Sequence, residues 1–104
     1  MDIVANEIFG PVIAITSFSD EDEVINQANN TCYGLASYLY STNYKTIFRV
    51  SRALEYGMVG INEALISNEV APFGGIKESG YGREGSYLGI NEYLNIKYHC
   101  WKTI

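Results

Sequence analysis

The chain has 104 residues, 47% of them apolar, and carries a formal net charge of −5. That length makes at most one domain, and nine Tyr, four Phe and one Trp exclude a disordered segment. The acidic balance argues against a general nucleic-acid-backbone binder. Apolar runs such as Val12-Ile13-Ala14-Ile15 fall far short of the roughly 18 residues a membrane span needs. The start, Met-Asp-Ile-Val-Ala-Asn-Glu, has neither the basic beginning nor the apolar core of a secretory leader, which predicts none.

In chain order, Val12 to Phe18 is a short β-branched apolar run that predicts a buried strand. Ser19-Asp20-Glu21-Asp22 follows, with Ser19 as a helix cap, Asp22 as its capping-box partner and the acids suited to the positive N-terminal dipole. Val24, Ile25 and Ala28 then mark one face of a helix that ends near Asn29-Asn30. Leu35 to Tyr40 reads as a second strand, and Ser41-Thr42-Asn43 as the cap of a second helix with Ile47, Val50, Ser51 and Leu54 at helical spacing. Gly57 is placed to stop that helix as a left-handed C-terminal residue, and Met58 to Ile61 is a third strand. The order β-α-β-α-β predicts an α/β layer with parallel strands and right-handed crossovers.

From Asn62 to about Gly82 the periodicity disappears in a stretch holding Pro72, Gly74, Gly75, Gly80 and Gly82. An unstructured loop of about 20 residues in a small domain is functional or disordered as a rule. Phe73, flanked by Pro72 and two glycines, argues against disorder because its ring needs something to pack on. Glu84 to Gly89 reads as a short helix, and Tyr93 to Trp101 as a final Tyr-rich strand that pairs with another subunit.

Few constellations carry chemistry on their own. Cys32 and Cys100 form neither a disulfide framework nor, with the single His99, a zinc site, so no metal is expected. They read as reduced thiols in a cytoplasmic protein, each in plain terms a small buried hydrophobe. Gly80-Tyr81-Gly82-Arg83-Glu84-Gly85 fits G-x-G-x-x-G, but polar Lys77-Glu78-Ser79 precede it where a dinucleotide site requires a strand. The plain reading is a glycine-hinged loop feeding a helix. Glu7 and Phe9 lie two apart before Gly10-Pro11, so an extended backbone puts a carboxylate and a ring on one side. The alternative is a solvated Glu7 and a core Phe9. No hydrolytic triad, P-loop or nucleophile–base pair is present.

Four segments together go further: Asn6 to Pro11, Glu55 to Asn62, Ile66 to Gly80 and Gly82 to Gly85. The run Pro72-Phe73-Gly74-Gly75-Ile76-Lys77-Glu78-Ser79-Gly80, followed by Gly82-Arg83-Glu84, closely resembles the C-terminal end of the aldehyde dehydrogenase superfamily. From Glu55 to Tyr98 the likeness is greatest to its succinate-semialdehyde branch. The resemblance spans essentially the whole chain but only the last part of a family chain. It implies a β-α-β-α-β half of the catalytic domain over residues 1–90 and an oligomerisation strand over residues 91–104.

The same resemblance implies NAD or NADP as cofactor and succinate semialdehyde as substrate in a homo-oligomeric enzyme that binds neither nucleic acid nor membrane. Glu7 matches the glutamate that holds the nicotinamide ribose hydroxyls, and Phe9 the aromatic beside that ribose. Ser67 matches a serine that helps bind the substrate's distal carboxylate, and Phe73 a wall of the aldehyde pocket. Glu84 matches a glutamate with a proton-relay or structural part. Asn6 departs from the acidic residue usual before the ribose glutamate. The nucleophilic cysteine in its Gly-Gln-x-Cys context, the Glu-Leu-Gly-Gly glutamate and the Rossmann domain have no counterpart in these residues, and neither Cys32 nor Cys100 has the nucleophile's neighbours. The expectation is a catalytically inert chain with little cofactor affinity of its own; the alternative is an interaction or oligomerisation module derived from such an enzyme.

Overall fold

A computed structural model describes residues 2–104; Met1, on which the expectation of no secretory leader partly falls, lies outside the described residues. The elements in chain order are α1 (Asp2–Ala5), α2 (Glu21–Asn29), β1 (Tyr33–Gly34), β2 (Ala36–Leu39), α3 (Tyr44–Ala53), β3 (Met58–Ile61), β4 (Ile76–Lys77) and a 3-10 helix, Gly89–Tyr93. β2 and β3 pair in parallel, Ala36 opposite Met58 through Leu39 opposite Ile61, with α3 as the crossover. β1 and β4 form a second, antiparallel pair, Tyr33 with Lys77 and Gly34 with Ile76. The α/β class and the parallel pairing across a helix follow the sequence pattern. No described helix is long and apolar enough to cross a membrane.

Local chemistry sets the helix limits. α2 is capped by Asp20, whose carboxylate accepts from Glu23 N at 2.9 Å. The return bond comes from Glu23, which accepts from Ser19 N and Ser19 Oγ, so the expected Ser19 cap and Asp22 partner are each displaced by one residue. The carboxylate one turn in is the one that reaches back to the entering chain. Asn43 caps α3 by accepting from Lys45 N and Thr46 N. α3 ends on Leu54 in extended conformation, not on a left-handed Gly57. Gly57 is required for a different reason: a Cβ there would overlap the Gly74 carbonyl and stand 2.8 Å from Gly75 Cα.

Polar side chains join the pieces. Asn29 donates to Ala53 O and accepts from Glu55 N, both at 2.8 Å, tying the end of α2 to the end of α3. Lys77 Nζ reaches Asn29 O, Thr31 O and, at 2.7 Å, the Glu55 carboxylate, a cation placed on the exposed carbonyls at a helix C-terminus. Asn62 exchanges two 2.9 Å hydrogen bonds with the Ser41 backbone, latching the ends of β2 and β3.

Three expectations are corrected. Val12–Phe18 forms no strand and its residues are exposed; a strand needs a neighbouring edge, and the described residues offer none beside it. The short helix expected at Glu84–Gly89 is shifted to Gly89–Tyr93, because Gly85 and Ser86 have φ of 66° and 51°, which no right-handed helix accommodates. Cys32 and Cys100 are exposed thiols instead of buried hydrophobes, one in the turn after α2 and the other in the unpacked tail. The tail, residues 94–104, forms no ladder with the described residues.

The described residues bury no hydrophobic side chain; those in the buried class are the glycines Gly34, Gly60, Gly75 and Gly89. The molecule measures 71 × 33 × 24 Å with a radius of gyration of 18.8 Å, against about 13 Å for a close-packed chain of this length.

Gly57→Ala is expected to lower the melting temperature by more than roughly 5 °C, the effect of about 1 kcal/mol or more of overpacking in a domain of this size. Gly10→Ala, where only Ile8 Cγ2 at 3.9 Å is near, leaves it unchanged. Thermal denaturation followed by circular dichroism measures both.

Acid sensitivity follows from two carboxylates. The Arg49 hydrogen bond, with a smaller contribution from Thr46, holds Glu21 below the ordinary glutamate value of 4.5, against an opposing effect of desolvation; Ser19 does the same for Glu23. Folded-state values that lie below the unfolded ones add stability above the unfolded pKa, and that stability is lost as pH falls through the folded pKa. The melting temperature is therefore flat from pH 7 to about 5 and declines below 4.5, and a Glu21→Gln/Glu23→Gln variant shows a shallower acid limb in a pH series.

Candidate functional site

The aperiodic loop folds into a cradle around Phe73. Its ends are fixed by β4, which pairs with β1, and by Ser79 Oγ, which accepts from Gly34 N at 2.9 Å. Within the loop, Phe73 N donates to Glu84 O at 2.9 Å and Glu84 N to Phe73 O at 2.7 Å, a one-rung antiparallel bridge. Asn68 turns the chain ahead of it by accepting from Val70 N, and Ser86 N donates to Glu69 O at 2.9 Å. Gly74 makes the crossing possible: a Cβ there would stand 2.6 Å from Gly82 O and 2.8 Å from Arg83 Cδ.

Ser67, Phe73 and Glu84 come together. With Asn68, Glu69 and Gly85 they line an open depression of about 510 Å3. Phe73 is half-buried and also lines the two neighbouring depressions, one of about 400 Å3 with Leu35, Met58 and Ser67, the other of about 560 Å3 with Gly75, Arg83 and Glu92. The ring of Phe73 stands between these depressions, and its backbone, not its ring, is what the Glu84 bridge fixes. Glu7 and Phe9 are not part of this cluster: they follow α1 on an exposed segment, Phe9 96% exposed, and line none of these three depressions. Phe9 is therefore not a core residue among the described residues.

The Ser67 depression offers a hydroxyl and an amide as donors, two carboxylates, and no cation. It suits one end of a polar substrate, but no charge in it balances an anion. Cys32 lines a separate depression with Lys77, Glu78, Gly80 and Tyr81, one that neither Ser67 nor Glu84 lines. The described residues hold no group of three His, Cys, Asp or Glu side chains fit for a metal. The Gly80–Gly85 motif has no dinucleotide geometry: the glycines turn at φ of 121°, 79° and 66°, and the segment that follows enters no α-helix. Its plain reading holds for the hinges, and the helix they feed is the later 3-10 turn.

Sequence reasoning missed Arg83 as a structural clamp. Its Nη1 donates to Gly75 O at 2.8 Å and Gly82 O at 2.7 Å, so one guanidinium nitrogen holds both sides of the Phe73–Glu84 bridge. The available signal was a lone cation among glycines, whose side-chain-free carbonyls invite a donor. Arg83→Met leaves two part-buried carbonyls unpaired, at a cost of about 1–3 kcal/mol. Amide exchange at Phe73 and Glu84 is expected to accelerate by roughly tenfold or more, with partial restoration in Arg83→Lys, as read by hydrogen-exchange NMR.

The sequence profile described as "Aldehyde dehydrogenase family" matches residues 1–99. Over 98 residues the chain is 60% identical to the glutarate-semialdehyde dehydrogenase of Pseudomonas putida, covering 94% of this chain and 20% of that one. It is 57% identical over 106 residues to the NADP-dependent succinate-semialdehyde dehydrogenase of Escherichia coli, covering 96% and 22%. The crystal structure of succinate-semialdehyde dehydrogenase from Burkholderia pseudomallei superimposes with a TM-score of 0.92 at 56% identity, covering 97% of this chain and 21% of that one. An NAD+ complex of a Bacillus cereus aldehyde dehydrogenase matches with a TM-score of 0.85 at 43% identity, covering 88% and 19%. The chain spans about a fifth of the length of these relatives. A loop built on Phe73, Gly74 and Arg83, a parallel β-α-β unit and a profile match over nearly every residue place the chain in the aldehyde dehydrogenase family.

Proposed function

We propose that these residues form the C-terminal part of the substrate chamber of an NAD(P)-dependent dehydrogenase that oxidises succinate semialdehyde to succinate. The observation that carries the reading is the meeting of Ser67, Phe73 and Glu84 at one depression. The relatives supply the substrate class: their names specify succinate semialdehyde, glutarate semialdehyde and 3-sulfolactaldehyde, each an aldehyde with an acidic group at its far end. Ser67 Oγ donates to that group, and Phe73 walls the carbon chain from water. Glu84, its backbone pinned by the Phe73 bridge, holds a proton-accepting carboxylate at the inner edge. The counter-charge for the substrate comes from elsewhere in the subunit, since the depression itself has no cation.

The cofactor fits the donor chemistry at the other end of the chain. The Glu7 carboxylate has no hydrogen-bond partner among the described residues, and the Phe9 ring is open, as a hydroxyl acceptor and a stacking face for a ribose must be. Bound NAD(P)+ supplies the hydride acceptor for the aldehyde carbon. The nucleophile is neither Cys32 nor Cys100: neither lines the depression, and the second lies in the tail. The 104 residues alone are therefore inert, because positioning groups cannot replace a missing thiolate. The exposed thiols suit a reducing, cytoplasmic setting. The tail, with Tyr93, Tyr98 and Trp101 exposed and no backbone bond after Leu94, serves subunit pairing in a homo-oligomer.

The pure chain is expected to give no aldehyde-dependent reduction of NAD or NADP, and calorimetric titration is expected to show Kd weaker than roughly 1 mM. Reduction at a measurable rate refutes the inert reading. The substrate reading is tested in a chimera in which these 104 residues replace the matched fifth of the Burkholderia enzyme. There Ser67→Ala raises KM for succinate semialdehyde by about tenfold or more, the worth of one hydrogen bond to a charged group, and leaves KM for butanal unchanged. Equal effects on both aldehydes remove Ser67 from carboxylate recognition.

A further inference from the structure

We infer that Lys77 is a positioning residue for the substrate wall: its ammonium holds the backbone of β4 against the end of α2 and so fixes where Phe73 stands. The inference rests on the reading of Phe73 as a wall of the aldehyde chamber and does not involve Ser67. Lys77 is a backbone outlier. Its φ is 56°, in the left-handed region that a long side chain enters at a cost and keeps only where its surroundings over-determine it. β4 is two residues long, so its pairing with Tyr33 and Gly34 is a short ladder to impose that conformation. The side chain supplies the rest. Its Nζ donates to Asn29 O at 3.0 Å and to Thr31 O at 3.3 Å, and meets the Glu55 carboxylate at 2.7 Å. Asn29 Oδ1 in turn accepts from Glu55 N at 2.8 Å, closing a ring of polar contacts through Asn29, Glu55 and Lys77. The last turn of α2 carries no basic residue of its own. The cation that suits its orphan carbonyls comes from 48 residues further along the chain.

The path from Lys77 to Phe73 is short and has little side chain to absorb a shift. Gly74 and Gly75 lie between them, with Ile76 as the one side chain on the way. Gly75 is pressed between Ser79 and Gly34: a Cβ on it would stand 2.7 Å from Ser79 Cβ and 3.2 Å from Gly34 O. Just beyond Lys77, Glu78 N donates to Cys32 O at 2.9 Å and Ser79 Oγ accepts from Gly34 N at 2.9 Å. All of these approaches depend on the direction the chain takes at Lys77. Arg83 clamps the loop at the Phe73–Glu84 bridge, and Lys77 clamps the strand that leaves it. With the second clamp released, the two glycines have no side chains to resist rotation, and the Phe73 ring swings across the depressions it separates.

Amide exchange and kinetics test the inference. In the chain itself, Lys77→Met is expected to accelerate exchange at Phe73 and Glu78 by roughly tenfold or more. In the Burkholderia chimera it raises KM for succinate semialdehyde and for butanal together, each by about fivefold or more, with kcat kept within about twofold, because the wall bounds both carbon chains. Lys77→Arg, which keeps the cation, restores most of the loss. Lys77→Gly separates position from stability. Glycine accepts the left-handed backbone, so the melting temperature of this variant lies above that of Lys77→Met, yet its KM values are no lower because the tether is gone. Unchanged exchange in Lys77→Met overturns the inference. So do KM values that follow the melting temperature and recover in Lys77→Gly, the mark of a lysine that only stabilises the fold. Phe73→Ala in the same chimera isolates the underlying reading. Unchanged KM values for both aldehydes in that variant refute the wall and the positioning role with it. Raised values there, beside unchanged ones in Lys77→Met, refute the positioning role alone.

Discussion

Backbone-to-backbone contact at glycine holds the molecule together. Gly57 N donates to Gly34 O at 3.0 Å, a Cβ on Gly57 would overlap Gly74 O, and one on Gly75 would stand 3.2 Å from that same Gly34 O. These four glycines stack three separate segments: the turn into β2, the turn into β3 and the loop carrying Phe73. No apolar side chain is fully buried to share the burden, so the position of the loop relative to the parallel pair depends on the absence of side chains at this junction. Glycine carries an entropic cost, which the polar latches of Asn29, Lys77 and Asn62 help to offset.

The candidate site inherits its precision from that junction. Phe73 and Glu84 are fixed through main-chain bonds and Arg83, not through side-chain packing of their own, which leaves the Phe73 ring as a wall and the Glu84 side chain exposed. Three depressions meet at that one ring. The depression that Ser67 lines presents hydroxyl, amide and carboxylate groups and no cation.

The exposed apolar surface belongs to the same picture. Val12–Phe18 and the Tyr-rich tail are both exposed and, among the described residues, both without ladder partners. Solvent cannot satisfy Ile13 or Ile15, and in a self-contained domain such residues would have selected a local partner. Their sequence pattern is that of buried strand even where no strand covers them.

Local interactions were legible in the sequence because they depend on neighbours a few residues away. The helix over Glu21–Asn29, the strand Met58–Ile61 and the cap at Asn43 follow from spacing and side-chain chemistry, and the loop motif around Phe73-Gly74-Gly75 carried the family. Long-range approach was not legible. A glycine at 57 looks like a helix stop until Gly74 is seen against it, Arg83 looks like a solvated charge until two carbonyls from either side of a bridge meet it, and Val12–Phe18 looks like a paired strand until no edge is found beside it. Periodicity reports which face of an element is apolar, but which surface covers that face is decided only when segments tens of residues apart are brought into contact.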